Sequence, residues 1–215
     1  MQNICLKMKL HSETIFGSGE SVIGGVDLEI VHDEYGLPFF KGKTLKGKLR
    51  EEIESIGELV ANREAFRREV NVLFGEPGDE KEGLLKFSDC KLNKNIKAYI
   101  LYGLEHNIFT REEVQQSLTQ TRKFTSIGEN GIAEKGSLRE VRVINPGLEL
   151  EAEVWTERPL TTVQLGVLAV AAQVLRKVGT LESRGKGQVE MRLYLNDEDV
   201  TTHYIDTLIG EAQYI

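Results

Sequence analysis

Five cations crowd one short stretch: Lys41, Lys43, Lys46, Lys48 and Arg50 lie along the approach and first turns of a segment with helical apolar spacing. Positive charge at a helix N-terminus opposes the macrodipole, so this placement calls for an anion, and a phosphate chain would supply it. The plain alternative is a solvated face balanced by Glu51, Glu52 and Glu54 one turn later. A second cation-bearing stretch is rich in glycine, Gly179-Thr180-Leu181-Glu182-Ser183-Arg184-Gly185-Lys186-Gly187. Glycines let backbone amides approach a ligand closely, whereas a helix-to-strand connection needs only Gly179, as a C-cap. Asp27 follows Ile23-Gly24-Gly25-Val26, with Asp33 six positions on. A carboxylate in so permissive a loop suits a divalent ion or a ribose hydroxyl, the alternative being an ordinary turn aspartate.

Several chemistries are excluded. Gly42-Lys43-Thr44 has the ending of a phosphate-binding P-loop, but Leu37 stands where that loop needs its first glycine. Gly185-Lys186-Gly187 precedes a strand, not a helix, so it is no dinucleotide fingerprint. His11, His32, His106 and His203 show no metal spacing, and Cys5 and Cys90 form neither a disulfide framework nor a zinc motif. The net charge of -7 argues against a protein that coats nucleic acid by bulk attraction, so any such site must be local. Aromatics make up 7% of the residues and the RNP motif is missing, which predicts contacts to the nucleic-acid backbone more than base stacking. The longest apolar run, Leu165 to Leu175, is half a membrane span and is broken by Gln173. A reducing cytoplasm and no membrane are expected.

The elements that must position these residues are legible as periodicities. Ile4, Leu6, Met8 and Leu10 alternate as one face of a strand. A helix runs from Thr44, read as its N-cap, through Leu45, Leu49, Ile53 and Ile56 to Gly57, read as its C-cap. Asn62 to Leu73 forms an accessory helix, and Leu85, Phe87 and Asp89 a second core strand. Thr110 and Glu113 pair as a capping box. Thr119 to Pro146 has few apolar anchors and predicts a protrusion outside the core. A third strand spans Leu148 to Trp155, dry on one face and acidic on the other. The helix over Thr162 to Val178 is apolar nearly all round, so something should cover its outer face. A last strand runs from Val189 to Leu195. The order β, α, β, β, α, β is that of an α+β, ferredoxin-like (RRM-like) fold with insertions.

Four segments carry a resemblance. Ile23-Gly24-Gly25-Val26-Asp27 through Asp33, followed by Leu37-Pro38-Phe39-Phe40-Lys41-Gly42-Lys43-Thr44-Leu45-Lys46-Gly47-Lys48-Leu49-Arg50, resembles the signature of CRISPR-associated RAMP proteins. Gly42-Lys43-Thr44 stands where that signature commonly has Gly-Ser-Ser. Leu73-Phe74-Gly75 with Leu84 to Asp89, Thr121-Arg122-Lys123 through Gly136-Ser137-Leu138-Arg139-Glu140-Val141 to Pro146-Gly147, and the glycine loop are similar to three further family segments.

The resemblance implies one RAMP domain over 1–215, with an accessory insertion at about 58–83 and a thumb-containing insertion at about 96–147. It implies a type III effector backbone subunit whose palm holds guide CRISPR RNA and whose thumb hairpin, about Lys123 to Val141, intrudes between guide and target RNA. Other RAMP subunits and copies of the same chain are the implied partners, with the dry face of the Thr162 helix as a subunit contact. The implied RNA-binding residues are Lys41, Lys43, Thr44, Lys46, Lys48, Arg50, Arg122, Lys123, Arg139, Ser183, Arg184, Gly185, Lys186 and Gly187. Asp27 is the implied catalytic residue of a target-RNA endoribonuclease and the candidate ligand of Mg2+ or Mn2+.

Overall fold

The fold is that of a computed structural model, which describes residues 2–19, 26–58, 60, 62–76, 78, 82–125, 130 and 137–212. Strand β1 (Ile4–Leu10) is the axis of the main sheet. Its alternation turns Ile4, Leu6, Met8 and Leu10 inward, and each is almost fully buried. On one side it pairs antiparallel with β6 (Glu149–Trp155), Met8 facing Leu150; on the other with β7 (Val189–Leu195), Met8 facing Met191. The short β2 (Lys86–Phe87) and β3 (Lys91–Leu92) both pair with β6, and β8 (Glu198–Asp199) pairs with β7. The spatial order β2-β6-β1-β7 is that of the ferredoxin-like sheet.

Helix α1 (Gly42–Gly57), with Leu45, Leu49 and Ile53 buried, and α5 (Thr162–Val174) share the apolar core with the inward face of the sheet. Period two leaves the opposite face to Lys7, Lys9, Glu149, Glu151, Glu153, Glu190 and Arg192. The acidic residues of β6 stand on it as predicted, but cations of β1 and β7 pair with the carboxylates, Lys7 with Glu151 and Arg192 with Glu190.

Several boundaries differ from expectation. The N-cap of α1 is Lys41, not Thr44, and its C-cap is Glu58, not Gly57. The second core strand contracts to the two residues of β2: beyond Phe87 the Glu153 N–H of β6 is accepted by the Ser88 Oγ at 2.9 Å, and the Asp89 carboxylate turns to the Gly42 N–H. The accessory helix α2 (Arg63–Phe74) is capped by Asn62, and the capping box opens α4 (Arg111–Leu118) at Thr110. A further helix, α3 (Lys94–Glu105), has no counterpart in the sequence reading.

The protrusion is a hairpin of β4 (Thr119–Phe124) and β5 (Arg139–Ile144). Its base is not outside the core, since Thr119, Val141, Val143 and Ile144 are buried. The turn region between the strands, apart from 130, lies outside the described residues.

The apolar circumference of α5 has a cause within the chain. Helix α6 (Thr201–Ala212) lies against it, so closely that a Cβ on Gly166 would come within 2.7 Å of the Leu208 Cβ. The outer face of α5 at this point is covered by the chain's own C-terminal helix, which corrects the expectation of a subunit contact there.

Gly42 is the tightest joint between α1 and the sheet: an added Cβ would lie 2.5 Å from the Ser88 carbonyl oxygen and 2.7 Å from that of Phe87. Both obstacles are backbone, so Gly42→Ala should lower stability by about 1–3 kcal/mol, measured by urea unfolding. An unchanged midpoint would contradict this packing.

Candidate nucleic-acid interface

The first turn of α1 has no side-chain cap of its own; Asp89 supplies one from beyond β2, its Oδ1 accepting the Gly42 N–H at 3.0 Å. This carboxylate offsets the unfavourable cations at the helix start. Lys41, Lys43 and Thr44 are exposed, and the two lysines make no ion pair among the described residues. The other cations are engaged. Lys46 donates to the Leu85 carbonyl oxygen at 2.9 Å, and burial pulls its pKa below the usual lysine range. Arg50 donates to Glu54, to the Gly75 carbonyl oxygen and to Asn71, bracing α1 against α2. Lys48 pairs with Glu51 at 3.0 Å and lies 4.0 Å from Glu182 in the glycine loop; the hydrogen bond to Glu51 raises its pKa.

The glycine loop is pinned at both ends and exposed at its tip. Helix α5 stops at Val174, so Gly179 is not its C-cap. With φ at +92°, Gly179 instead seats against Ile15, whose carbonyl oxygen would lie 2.4 Å from an added Cβ. Gly187, at φ +75°, packs against Val178, whose carbonyl oxygen would be 2.0 Å away. Between them a 3-10 turn at Glu182–Arg184 presents Ser183, Arg184 and Gly185 to solvent, with Lys186 half-buried.

The thumb base meets this loop. The Arg184 guanidinium lies 5.8 Å from the ring centroid of Phe124, at the end of β4. Arg139 stands opposite Phe124 in the hairpin and makes no ion pair among the described residues, whereas Lys123 pairs with Glu140 at 2.7 Å. Arg122 and Lys186 converge on Glu13: one oxygen of Glu13 accepts from Arg122 Nε at 2.8 Å and Gln120 Nε2 at 2.8 Å, the other from Lys186 Nζ. The hydrogen bond from Arg122 lowers the Glu13 pKa, with Lys186 adding to it and burial opposing. Sequence reasoning missed Glu13, Asp89 and Phe124. Glu13 meets its cations 109 and 173 positions away, a separation that no local pattern encodes.

Asp27 docks on the same hairpin. Its N–H donates to the Glu140 carbonyl oxygen at 2.7 Å, and its Oδ2 accepts the Glu140 N–H at 2.7 Å. Nearby Glu29 is bound to Arg142 and Glu140 to Lys123. No group of three or more His, Cys, Asp or Glu able to hold a metal occurs among the described residues, and Gly24 and Gly25 lie outside them. Cys5 and Cys90 are free thiols; burial pushes Cys5 up to about 11 and Cys90 well above its ordinary value, so neither is an activated nucleophile. No helix among the described residues is long and apolar enough to cross a membrane.

The interface therefore joins the exposed start of α1, the loop tip and the thumb base. Such an arrangement of amides and cations around a loop suits the phosphates of an extended strand.

Comparison with known proteins agrees with the fold. Two solved structures are similar over 89% of this chain and 96% of theirs, at 15% identity: the cryo-EM structure of the Type III-B Cmr-beta bound to cognate target RNA, with a TM-score of 0.64, and its apo state, with 0.65. No curated protein matches significantly. The family model of the RAMP superfamily matches residues 7–190, and the chain belongs to that superfamily.

Proposed function

We propose that this chain is an RNA-binding backbone subunit of a type III CRISPR effector complex, holding guide CRISPR RNA and meeting target RNA at its thumb. The observation that carries the reading is the convergence of segments far apart in sequence: Glu182 near Lys48, Arg184 over Phe124, and Arg122 and Lys186 on one carboxylate. Membership of the RAMP superfamily and the likeness to the Cmr-beta structures support it. Other RAMP subunits and further copies of the chain are its proposed neighbours.

Target cleavage is the finer part of the proposal. Asp27 lies beside the thumb base, where a strand displaced by the hairpin would pass. One protein carboxylate is a sparse ligand set, but Mg2+ commonly takes one or two carboxylates and completes its shell with water and substrate phosphates. Asp27 would hold such an ion, Mg2+ or Mn2+, which when bound supplies stabilisation of the charge developing on the scissile phosphate. Asp27 itself keeps the target backbone in register for attack by the neighbouring 2'-hydroxyl. A second reading, a structural subunit that does not cut, is favoured by the paired bonds between Asp27 and Glu140, which give Asp27 work in the fold.

Asp27→Asn separates these readings because an amide oxygen can still accept the Glu140 N–H. In the assembled complex this variant should retain guide RNA while regularly spaced, Mg2+-dependent cuts in target RNA fall by about 100-fold or more. A wild-type complex that protects its target uncut, with or without Mg2+, establishes the structural reading.

The cations divide in a testable way. Lys41→Ala with Arg184→Ala should weaken RNA binding about tenfold and reduce the salt slope by about two. Arg50→Ala should instead lower stability by about 1–3 kcal/mol and leave the salt slope unchanged. Equal effects of the two changes on the slope would contradict the assignment.

A further inference from the structure

Glu13 lies behind two cations of the interface, with a side chain 12% exposed, against 48% for Arg122 and 20% for Lys186. Arg122 grips it with Nε and one terminal nitrogen, the other terminal nitrogen making no hydrogen bond among the described residues, and Lys186 gives it one hydrogen bond of the three that an ammonium can donate. The cluster keeps a net positive charge and free donors on its exposed side. Gln120, bonded to the same oxygen, adds a neutral brace from the same strand.

A carboxylate here has two opposed effects on a phosphate. Its charge repels the ligand, while its hydrogen bonds fix two long side chains that would otherwise lose their rotamer freedom on binding. The repulsion acts from behind, and on the exposed side it is screened by solvent and salt; the orientation is not screened. Positioning therefore outweighs competition.

We propose that Glu13 is a positioning residue of the RNA interface, holding Arg122 of the thumb base and Lys186 of the glycine loop at one fixed separation, so that thumb and palm grip the same run of sugar-phosphate. This rests on the RNA-binding reading above. Glu13 is not needed to join the segments, because the backbone already does so: Thr14 pairs with Ile144 of the thumb, and Thr180 N–H donates to the Ile15 carbonyl oxygen at 3.1 Å. The variant Glu13→Gln should accordingly fold.

The test is a double-mutant cycle in the full chain assembled with its partner subunits, read as the Kd of a fluorescein-labelled, single-stranded CRISPR repeat–spacer RNA. Arg122→Ala, Lys186→Ala and Glu13→Gln should each raise Kd by about fivefold to tenfold, and adding Arg122→Ala to Glu13→Gln should raise it by less than about twofold more. Arg122→Lys, which keeps the charge but loses the two-nitrogen grip, should resemble Arg122→Ala and does not depend on how Glu13→Gln folds. Unchanged or tighter binding by Glu13→Gln, full additivity in the cycle, or wild-type binding by Arg122→Lys would each overturn the positioning role. If Arg122→Ala and Lys186→Ala leave Kd unchanged in the otherwise wild-type chain, the RNA-binding assignment of these two cations fails first, and the inference with it.

Discussion

Residues 13–15, just past the end of β1, hold both halves of the interface through their backbone. Thr14 exchanges hydrogen bonds with Ile144 at 3.1 and 2.8 Å, anchoring the thumb, while Ile15 and Glu13 accept from Thr180 at 3.1 Å and Gly187 at 2.9 Å, anchoring the glycine loop. Thr14 and Ile15 are fully buried, so water cannot compete for these bonds. The seat is also steric: an added Cβ at Gly179 would meet the Ile15 carbonyl oxygen at 2.4 Å, so only glycine lets the loop come this close. Because β1 is central in the sheet, this junction carries the register of the whole palm into the placement of the thumb and the loop.

Electrostatics then acts on a frame already fixed. The chain is anionic overall, yet Lys41, Lys43, Arg139 and Arg184, exposed and without an ion pair among the described residues, belong to the segments that this junction and the start of α1 bring together. Most other cations near the interface already have carboxylate or carbonyl partners, which moderates general attraction for polyanions. A local patch on an acidic molecule favours a strand that threads the patch over one that coats the surface.

The sheet and its two main helices were legible because each depends on a local period: alternation in β1, β6 and β7, and helical spacing in α1 and α5. Two helix starts rest on purely local bonds, the capping box at Thr110 and the asparagine cap of α2 at Asn62, and both helices begin where the pattern places them. The cover over α5 was foreseeable as a need but not as α6, since apolarity all round a helix says only that a second partner exists. The start of α1 at Lys41 was hidden because the carboxylate that caps the helix, that of Asp89, lies 47 positions from the Gly42 N–H it accepts. Glu13 was hidden for the same reason, since a carboxylate carries no sequence mark of the distant cations it will meet.

The helical phase of α1 explains why its cation run could not be read as a single feature. Lys46 and Arg50, four apart, share one face and both meet carbonyl oxygens of the segments beyond α1, those of Leu85 and Gly75. Lys48 lies roughly 200° around the helix from Lys46, at about 100° per residue, and there it faces Glu182 of the glycine loop. Lys41 and Thr44 precede Lys48 on that same side, at the spacing of successive turns. On the RNA-binding reading the phosphate path therefore follows Lys41 and Thr44 toward the loop tip, with Lys48 linking that side of the helix to Glu182, while Lys46 and Arg50 of the same motif keep α1 in place. One sequence signature thus serves two faces, and it is the turn of the helix, more than the count of charges, that decides which lysines meet the strand.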